Sequence, residues 1–521
     1  MALSLPAPAA REVVDQLAAI VGPEQVSVAP IDRLTYARDM YTVAIIKHAE
    51  GKLEHFPHVI VWPANEDELI RVVKLAPDLG LPVIPFGAGS GVCGGTLPIH
   101  GGIMLDVKRL GRIVEINDDD LTVTAQAGIN GQVLEMELNR HGYTLGHFPS
   151  SIHCSTLGGW VAARSAGQLS SKYGKIEDML IALRWVCPDG RVYSSPIVPG
   201  RSTGPDFDQI LTGSEGTLGV CTEATLRICP YPADRRFVAF TFPDVPTATE
   251  AMRMMLRNDL RPAAMRLYDA LDTMLVGTSG STEHTQGKSL GDLLQIEQIG
   301  NRVRTLAPDL FRKAQRFVAG NAQIANQLEL LAKEGCMLIL MFEGERELTD
   351  YEFEAAVMIC ERLGGTNKGP KPAIRWFENR HHVSYKMSKV YYNGAFVDTI
   401  EVATTWTRLI DLYDAVCAAL KPHAFLMAHF SHAYPDGCSI YFTFVTSAAD
   451  ADEAATKHAF IWSLAMKAAG GVGATLSHHH GIGLSKAQYM RDEHGDMMRV
   501  YRDIKTVMDD AHRFNPGKMG L

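Results

Sequence analysis

The sequence has no Cys-x-x-Cys pair. Its nine cysteines, at 93, 154, 187, 221, 229, 336, 360, 417 and 438, are scattered and odd in number. That excludes a zinc ribbon or a self-contained iron–sulfur cluster and suits a reducing cytoplasm better than a disulfide scaffold. A basic block is also missing. With 50 Lys and Arg against 59 Asp and Glu, the net charge is −9, so neither nucleic acid nor an anionic membrane surface is an expected partner. No apolar run reaches the roughly 18 residues of a membrane span, and the N-terminus has neither the basic region nor the long apolar core of a secretion signal. The expectation is a cytoplasmic protein that handles a small molecule. Internal repeats are absent, and the one biased stretch is the alanine-rich segment 450–469.

What is present is enough apolar residue, 46% of 521 positions, for two domains with full cores. The most informative segment is Pro85, Phe86, Gly87, Ala88, Gly89, Ser90 and Gly91, which follows the apolar run 81–84. Its three glycines leave amide groups unshielded and able to turn inward as an anion-binding nest. Two commoner phosphate loops are excluded by spacing. A dinucleotide fingerprint starting at Gly87 needs glycine where Val92 stands, and a P-loop starting at Gly89 needs lysine where Gly95 stands. Ahead of the loop, 58–62 reads as a strand, and Asn65 with Glu68 reads as a capping box on a helix whose apolar face is Leu69, Ile70, Val72, Val73 and Leu75. Strand, helix, strand and loop suit a βαβ crossover that delivers the loop to a strand end.

Along the chain, 1–56 reads as a helical lead-in, with 11–20 amphipathic. Residues 57–235 alternate short strands with glycine turns, and the prolines at 230 and 232 mark a boundary. Residues 236–445 mix helices, at 292–304 and 306–331, with strands at 337–342 and 439–445. A final segment, 446–521, holds a helix over 450–469 and three consecutive histidines, His478, His479 and His480.

Three separated segments carry a resemblance. The glycine loop, the stretch 146–159 with its Ser-Ser-Ile-His-Cys-Ser-Thr-Leu-Gly-Gly, and 213–220, Gly-Ser-Glu-Gly-Thr-Leu-Gly-Val, together resemble the FAD-binding domain of the vanillyl-alcohol-oxidase (PCMH) superfamily. Trp160, the segments 173–178, 202–206 and 262–267, and 477–483 resemble its alkylglycerone-phosphate synthase subgroup. The resemblance implies an α+β fold: a PCMH-type FAD-binding domain of two α/β subdomains, an α+β substrate (cap) domain, and a C-terminal segment that returns to the flavin side and completes the active site. It implies that residues 85–91 wrap the FAD pyrophosphate. Ser150, Ser151, Ser155, Thr156, Gly158, Ala163, Arg164, Ser165 and Ala166 line the adjacent wall, and Glu215, Gly216, Thr217, Gly219, Val220 and Cys221 close the adenosine side. Ser90 stands about where the histidine-linked members have their histidine, so noncovalent FAD is expected, with His153 and Cys154 as the exceptions to watch. A homodimer is the family's usual habit.

The same resemblance carries over catalytic positions. Tyr441 matches the family's proton-handling tyrosine, His478, His479 and His480 its histidine run, and Arg266 an arginine important for activity. A tyrosine beside a histidine suits this work, because imidazole can lower the cost of phenol deprotonation. The substrate-phosphate arginine is replaced by Met387. Lys386 and Lys389 remain as substrate-side point charges, and neither supplies a bidentate fork. His429 and His432 sit where the superfamily's hydroxy-acid dehydrogenases place metal ligands. With Ile440 and His479 at two other ligand positions, no metal is expected, although three imidazoles could bind one. The reading that results is an FAD-dependent oxidoreductase acting on a hydroxy acid, alcohol or phenol, with oxygen, a quinone or a protein as electron acceptor. A redox-neutral ether-lipid synthase and a flavin-binding accessory subunit are its rivals.

Overall fold

The structure, a computed structural model, describes residues 7–277, 321, 322, 326, 335–382 and 395–521. It separates into two compact units. The first comprises residues 1–167, 173–231 and 479–521, and the second residues 168–172 and 232–478. Within this division the helix Ala451–Gly471 belongs to the second unit, and the chain from His479 onward belongs to the first. The expected helices at 292–304 and 306–331 fall outside the described residues, apart from 321, 322 and 326. Among the described residues no helix is long and apolar enough to cross a membrane.

In the first unit, β1 (Val26–Ser27), β2 (Val59–Val61), β3 (Val83–Phe86) and β4 (Ile103–Asp106) form a sheet in the order β1-β2-β4-β3. β2 and β3 both run parallel to β4. The expected crossover is therefore one strand wider than the sequence reading had it: β4, buried at all four positions, lies between the two strands joined by the helix Glu66–Leu75. Asn65 caps that helix by accepting from Glu68 N–H, while the Glu68 carboxylate takes Ala64 N–H at 2.7 Å. The capping box thus closes one residue earlier than the standard form. The lead-in is part of this sheet: Leu17 and Val13 of the helix Ala7–Val21 enter its core, and β1 pairs with β2.

The same unit contains a five-stranded antiparallel sheet of β5 (Ile113–Asn117), β6 (Thr122–Gln126), β8 (Leu180–Val186), β9 (Val192–Ser194) and β10 (Val220–Arg227), ordered β5-β6-β10-β8-β9. A two-stranded ribbon joins β7 (Tyr143–Thr144) to β11 (Cys229–Pro230). Trp160, Trp185 and the aliphatic residues of β6 and β10 fill this core.

The second unit is built on a seven-stranded antiparallel sheet. Its strands are β12 (Asp234–Phe242), β13 (Ala264–Tyr268), β14 (Cys336–Gly344), β15 (Thr366–Gly369), β16 (Ala395–Thr405), β17 (Phe425–Ala433) and β18 (Gly437–Ser447), ordered β15-β12-β14-β13-β17-β18-β16. Helices Val245–Arg257, Arg346–Arg362, Leu409–Leu420 and Ala451–Gly471 cover it. Neighbouring strands bring Arg266, His429, Tyr441 and Glu401 into adjacent registers, with His429 opposite Tyr441 and Tyr441 opposite Glu401.

Candidate cofactor cradle and catalytic cluster

The glycine loop leaves β3 as an array of free donors. None of the amide N–H groups of Gly87, Ala88, Gly89, Ser90, Gly91 and Val92 has a protein acceptor among the described residues, although a partly buried backbone normally satisfies its donors. The carbonyls, by contrast, are held. Phe86 O accepts from Val107 N–H at 3.0 Å, Gly87 O from Lys108 Nζ at 3.0 Å, and Gly91 O from Met40 N–H at 2.9 Å. At Gly87 a Cβ would lie 2.3 Å from Thr156 Oγ1, and Gly89 has φ +61° over the Phe86 ring, so both positions need glycine. Thr156 caps the helix Leu157–Ala163, so the first two of the three sequence segments meet here. A run of unspent amides next to hydroxyl-bearing residues and bare glycine backbone fits the pyrophosphate of FAD.

Several expected wall residues are turned to other work. Ser155 Oγ accepts from Trp160 Nε1 at 2.8 Å, and Ser165 Oγ meets His147 Nε2 at 2.9 Å. Burial pulls His147 down to about 3, so its imidazole stays neutral. Arg164 binds Thr212 O and Gln209 O at 3.0 and 2.6 Å. Cys221 lies in the core, where burial pushes its thiol up to about 12. Ser150, Ser151, His153 and Cys154 form a turn in which Cys154 Sγ points to Ser151 O at 3.3 Å. Cys154 is exposed, and partial desolvation by its neighbours raises the thiol's pKa, which opposes formation of the thiolate. Gly158 and Gly216 pack closely on Ala127 and Pro85, while Ala163, Ala166, Gly219 and Val220 offer backbone or apolar contact only.

Glu215 differs most from its expected role as an adenosine contact. Its carboxylate accepts Ile482 N–H at 2.5 Å and Gly483 N–H at 2.7 Å, just beyond the histidine run. Burial raises its pKa, while these two bonds and the Lys486 and Lys518 ammonium groups oppose the rise. Asn515 Nδ2 holds Glu215 O at 2.7 Å from the C-terminal tail.

In the second unit a polar chain crosses the sheet. Arg266 Nη2 lies 2.6 Å from His429 Nε2, and His429 Nδ1 lies 3.3 Å from Asp272 Oδ2. A guanidinium can only donate. His429 therefore accepts at Nε2, carries its proton on Nδ1 and directs it to Asp272. Burial first, and Arg266 second, hold His429 well below its ordinary value, so it is neutral. Burial lifts Asp272 to about 7 against the pull of Arg266. Arg266 Nε is buried with no partner among the described residues. The His429 ring stacks on Tyr441, centroids 4.7 Å apart and 16° between planes.

The imidazole beside Tyr441 has both nitrogens engaged and lies against the ring face, so it does not receive the phenol proton. Burial, followed by the Thr399 contact that opposes it and by Glu401, raises the phenol well above its ordinary value, so Tyr441 keeps its proton at neutral pH. The same occupancy of Nε2 by Arg266 competes with any metal at His429. Among the described residues no group of three or more His, Cys, Asp and Glu is arranged to hold a metal ion. His432 sits at a β-bulge between β17 and β18 with φ 55°, a device that re-aims a side chain. Its Nδ1 meets Ser170 Oγ at 2.7 Å and its ring stacks on His478 at 5.2 Å. Lys386 and Lys389 lie outside the described residues.

The histidine run lies in a bend. Before it, buried Glu401 accepts Ser477 Oγ at 2.6 Å and His478 N–H. After it, Glu215 takes Ile482 and Gly483. His479 and His480 meet edge to face at 4.6 Å. Asp272, Glu401 and Lys108 were missed by sequence reasoning, since no local motif marks them.

A cradle of free amides on the first unit and a sheet-borne Arg–His–Asp–Tyr cluster on the second fit the class of flavin-binding proteins. Residues 57–195 match the FAD binding domain family, and residues 231–519 match the family of FAD linked oxidases, C-terminal domain. The chain belongs to the FAD-linked oxidases of the PCMH/vanillyl-alcohol-oxidase superfamily. It is 29% identical over 534 residues to the alkyldihydroxyacetonephosphate synthase of Trypanosoma brucei brucei, covering 99% of this chain and 82% of that protein. The glycolate oxidase subunit GlcD of Bacillus subtilis is 24% identical, covering 98% of this chain and 97% of that protein. A solved alkyldihydroxyacetonephosphate synthase structure superposes with TM-score 0.76 at 26% identity, covering 97% of this chain and 85% of the other.

Proposed function

We propose that this protein is an FAD-dependent oxidoreductase that oxidises a hydroxylated small molecule, a hydroxy acid, alcohol or phenol. The Arg266–His429–Asp272 chain stacked on Tyr441 carries the reading. Bound FAD, held without a covalent link, supplies a hydride acceptor at N5. Arg266 would offer its unspent Nε to the substrate oxygen, which turns negative when its O–H proton leaves and gives that charge up as the hydride departs from carbon. His429, with its tautomer set from both sides, fixes the plane of the guanidinium and stacks against Tyr441. Tyr441, protonated at rest, donates a hydrogen bond to the substrate oxygen, and the histidine run of His478, His479 and His480 supplies the base that takes up the substrate's O–H proton. The scattered cysteines support a cytoplasmic setting, and the family habit supports a homodimer.

Tyr441→Phe is expected to keep FAD absorbance and lose turnover by about 10²-fold or more; full activity in stopped-flow reduction would remove Tyr441 from the mechanism. The pH dependence has a defined sign. Asp272, raised to about 7, favours its protonated form in the fold, a contribution present below its ordinary value and lost as pH rises through 7. Activity runs the other way, because the ionised carboxylate is the stronger acceptor for His429 Nδ1–H. The rate should therefore fall below about pH 7 along a limb that Asp272→Asn abolishes, and a limb that survives in that variant belongs to another group.

The second reading is a redox-neutral ether-lipid synthase, favoured by the 29% identity over nearly the whole chain and by Tyr441, Arg266 and the histidine run. The third, an accessory subunit, predicts no activity from the isolated chain. Anaerobic titration of the flavin separates all three. Bleaching by a hydroxylated compound supports the oxidoreductase, whereas an ether lipid formed from acyl-glycerone phosphate and a fatty alcohol without net reduction supports the synthase.

A further inference from the structure

The glycine loop's donors face one way because its carbonyls are tied the other way. In a trans peptide the C=O and the following N–H point in opposite directions. With Phe86 O, Gly87 O and Gly91 O bound by Val107 N–H, Lys108 Nζ and Met40 N–H, the amides of Gly87, Ala88 and Val92 are presented on the opposite side. Two of these three ties are backbone to backbone. The middle one, at the Gly87–Ala88 peptide, is a side chain.

Lys108 is itself held in place. Its ammonium pairs with Asp106, whose carboxylate is fully buried and also accepts Lys108 N–H at 2.8 Å and the Tyr36 hydroxyl at 2.5 Å. Trp62 Nε1 donates to that hydroxyl at 2.9 Å. The ammonium lies 4.8 Å from the Phe86 ring centroid and 5.4 Å from that of Tyr36, which adds cation–π attraction. A flexible side chain is thus held between two acceptors, the Asp106 carboxylate and Gly87 O.

We propose that Lys108 is a positioning residue for FAD: from behind the loop it locks the Gly87–Ala88 peptide so that Ala88 N–H is presented to the cofactor's pyrophosphate, without touching the phosphates itself. Without Lys108 the peptide is free to rotate, and binding must first order it.

The test is FAD titration of full-length apoprotein by flavin fluorescence, alongside ADP competition, salt dependence and the apoprotein's thermal midpoint. Lys108→Met, which keeps the apolar stem, is expected to raise the Kd for FAD about tenfold and weaken ADP by a similar factor; the midpoint falls as well, because buried Asp106 loses its counter-charge. Lys108→Arg can still donate to Gly87 O and should recover most of the affinity. Tyr36→Phe, which loosens only the Asp106 end, should give a smaller loss of about two- to threefold. An unchanged Kd in Lys108→Met overturns the proposal. So does a loss that vanishes at high salt, since that marks a direct charge on the phosphates, and so does a Lys108→Arg variant that recovers the midpoint but not the affinity. If Lys108→Met does not fold, a Tyr36→Phe Kd equal to that of the unmodified protein overturns it.

Discussion

Arg266→Met is expected to slow substrate-dependent flavin reduction by about 10²–10³-fold while FAD stays bound, as loss of one preorganised donor at a developing charge does elsewhere. Two effects combine. The substrate oxygen loses the unspent Nε, and His429 loses the donor on Nε2. A separate signature marks the relay. Arg266 pulls the Asp272 pKa down against burial, so its removal should move the acid limb of the rate above the pH at which the unmodified protein shows it. Stopped-flow reduction between pH 6 and 9 measures both. Arg266→Lys should restore part of the rate, as a point charge without the planar fork. A slow variant with an unmoved limb would separate the arginine from Asp272, and an unchanged rate would exclude it from the active site.

Glu215→Ala is expected to destabilise the apoprotein by roughly 3–5 kcal/mol, the range for removing one partner from a buried charged cluster. The variant strands two amides, Ile482 N–H and Gly483 N–H, and removes a negative charge that faces Lys486 and Lys518, both fully buried, with Asp39 still acting on Lys518. Lys518 already sits low, at about 8, because of burial, and Glu215 is among the groups that hold it up. Glu215→Gln keeps the size and one acceptor and should fall between. Urea unfolding of apoprotein gives the number. A residue that merely contacted adenosine would behave differently, weakening FAD while leaving apoprotein stability within about 1 kcal/mol. The two roles are therefore separable in one pair of experiments.

The parts of the site that were legible in the sequence are the local ones. The glycine loop announces itself through spacing alone, because free amides and close backbone approach demand glycine within a few residues. Asn65 was legible as a cap, and the helix over 450–469 was found within two residues of Ala451–Gly471, since a cap is a contact between near neighbours in sequence; Thr156, expected only on the flavin wall, also caps a helix. The strands at 337–342 and 439–445 were found within a few residues of β14 and β18, because buried strands are continuous apolar runs. The family was legible for the same reason: its motifs are short.

What the sequence by itself determined, then, is that this chain carries a flavin cradle, a tyrosine and a histidine run in the order of the FAD-linked oxidases. What only the tertiary structure decided is how their side chains are used. Arg266 meets His429 across 163 residues, Glu215 reaches Ile482 across 267, and Glu401 reaches Ser477 across 76. β4 enters between β2 and β3 although it follows both in the chain. Such pairings depend on strand order and register, which bring distant residues within 3 Å while leaving no periodic mark in the sequence. A buried carboxylate reads the same in one dimension whether it binds adenosine, a lysine or a backbone amide. Its role follows from which donors the fold places beside it, because a buried charge must be matched where it lies.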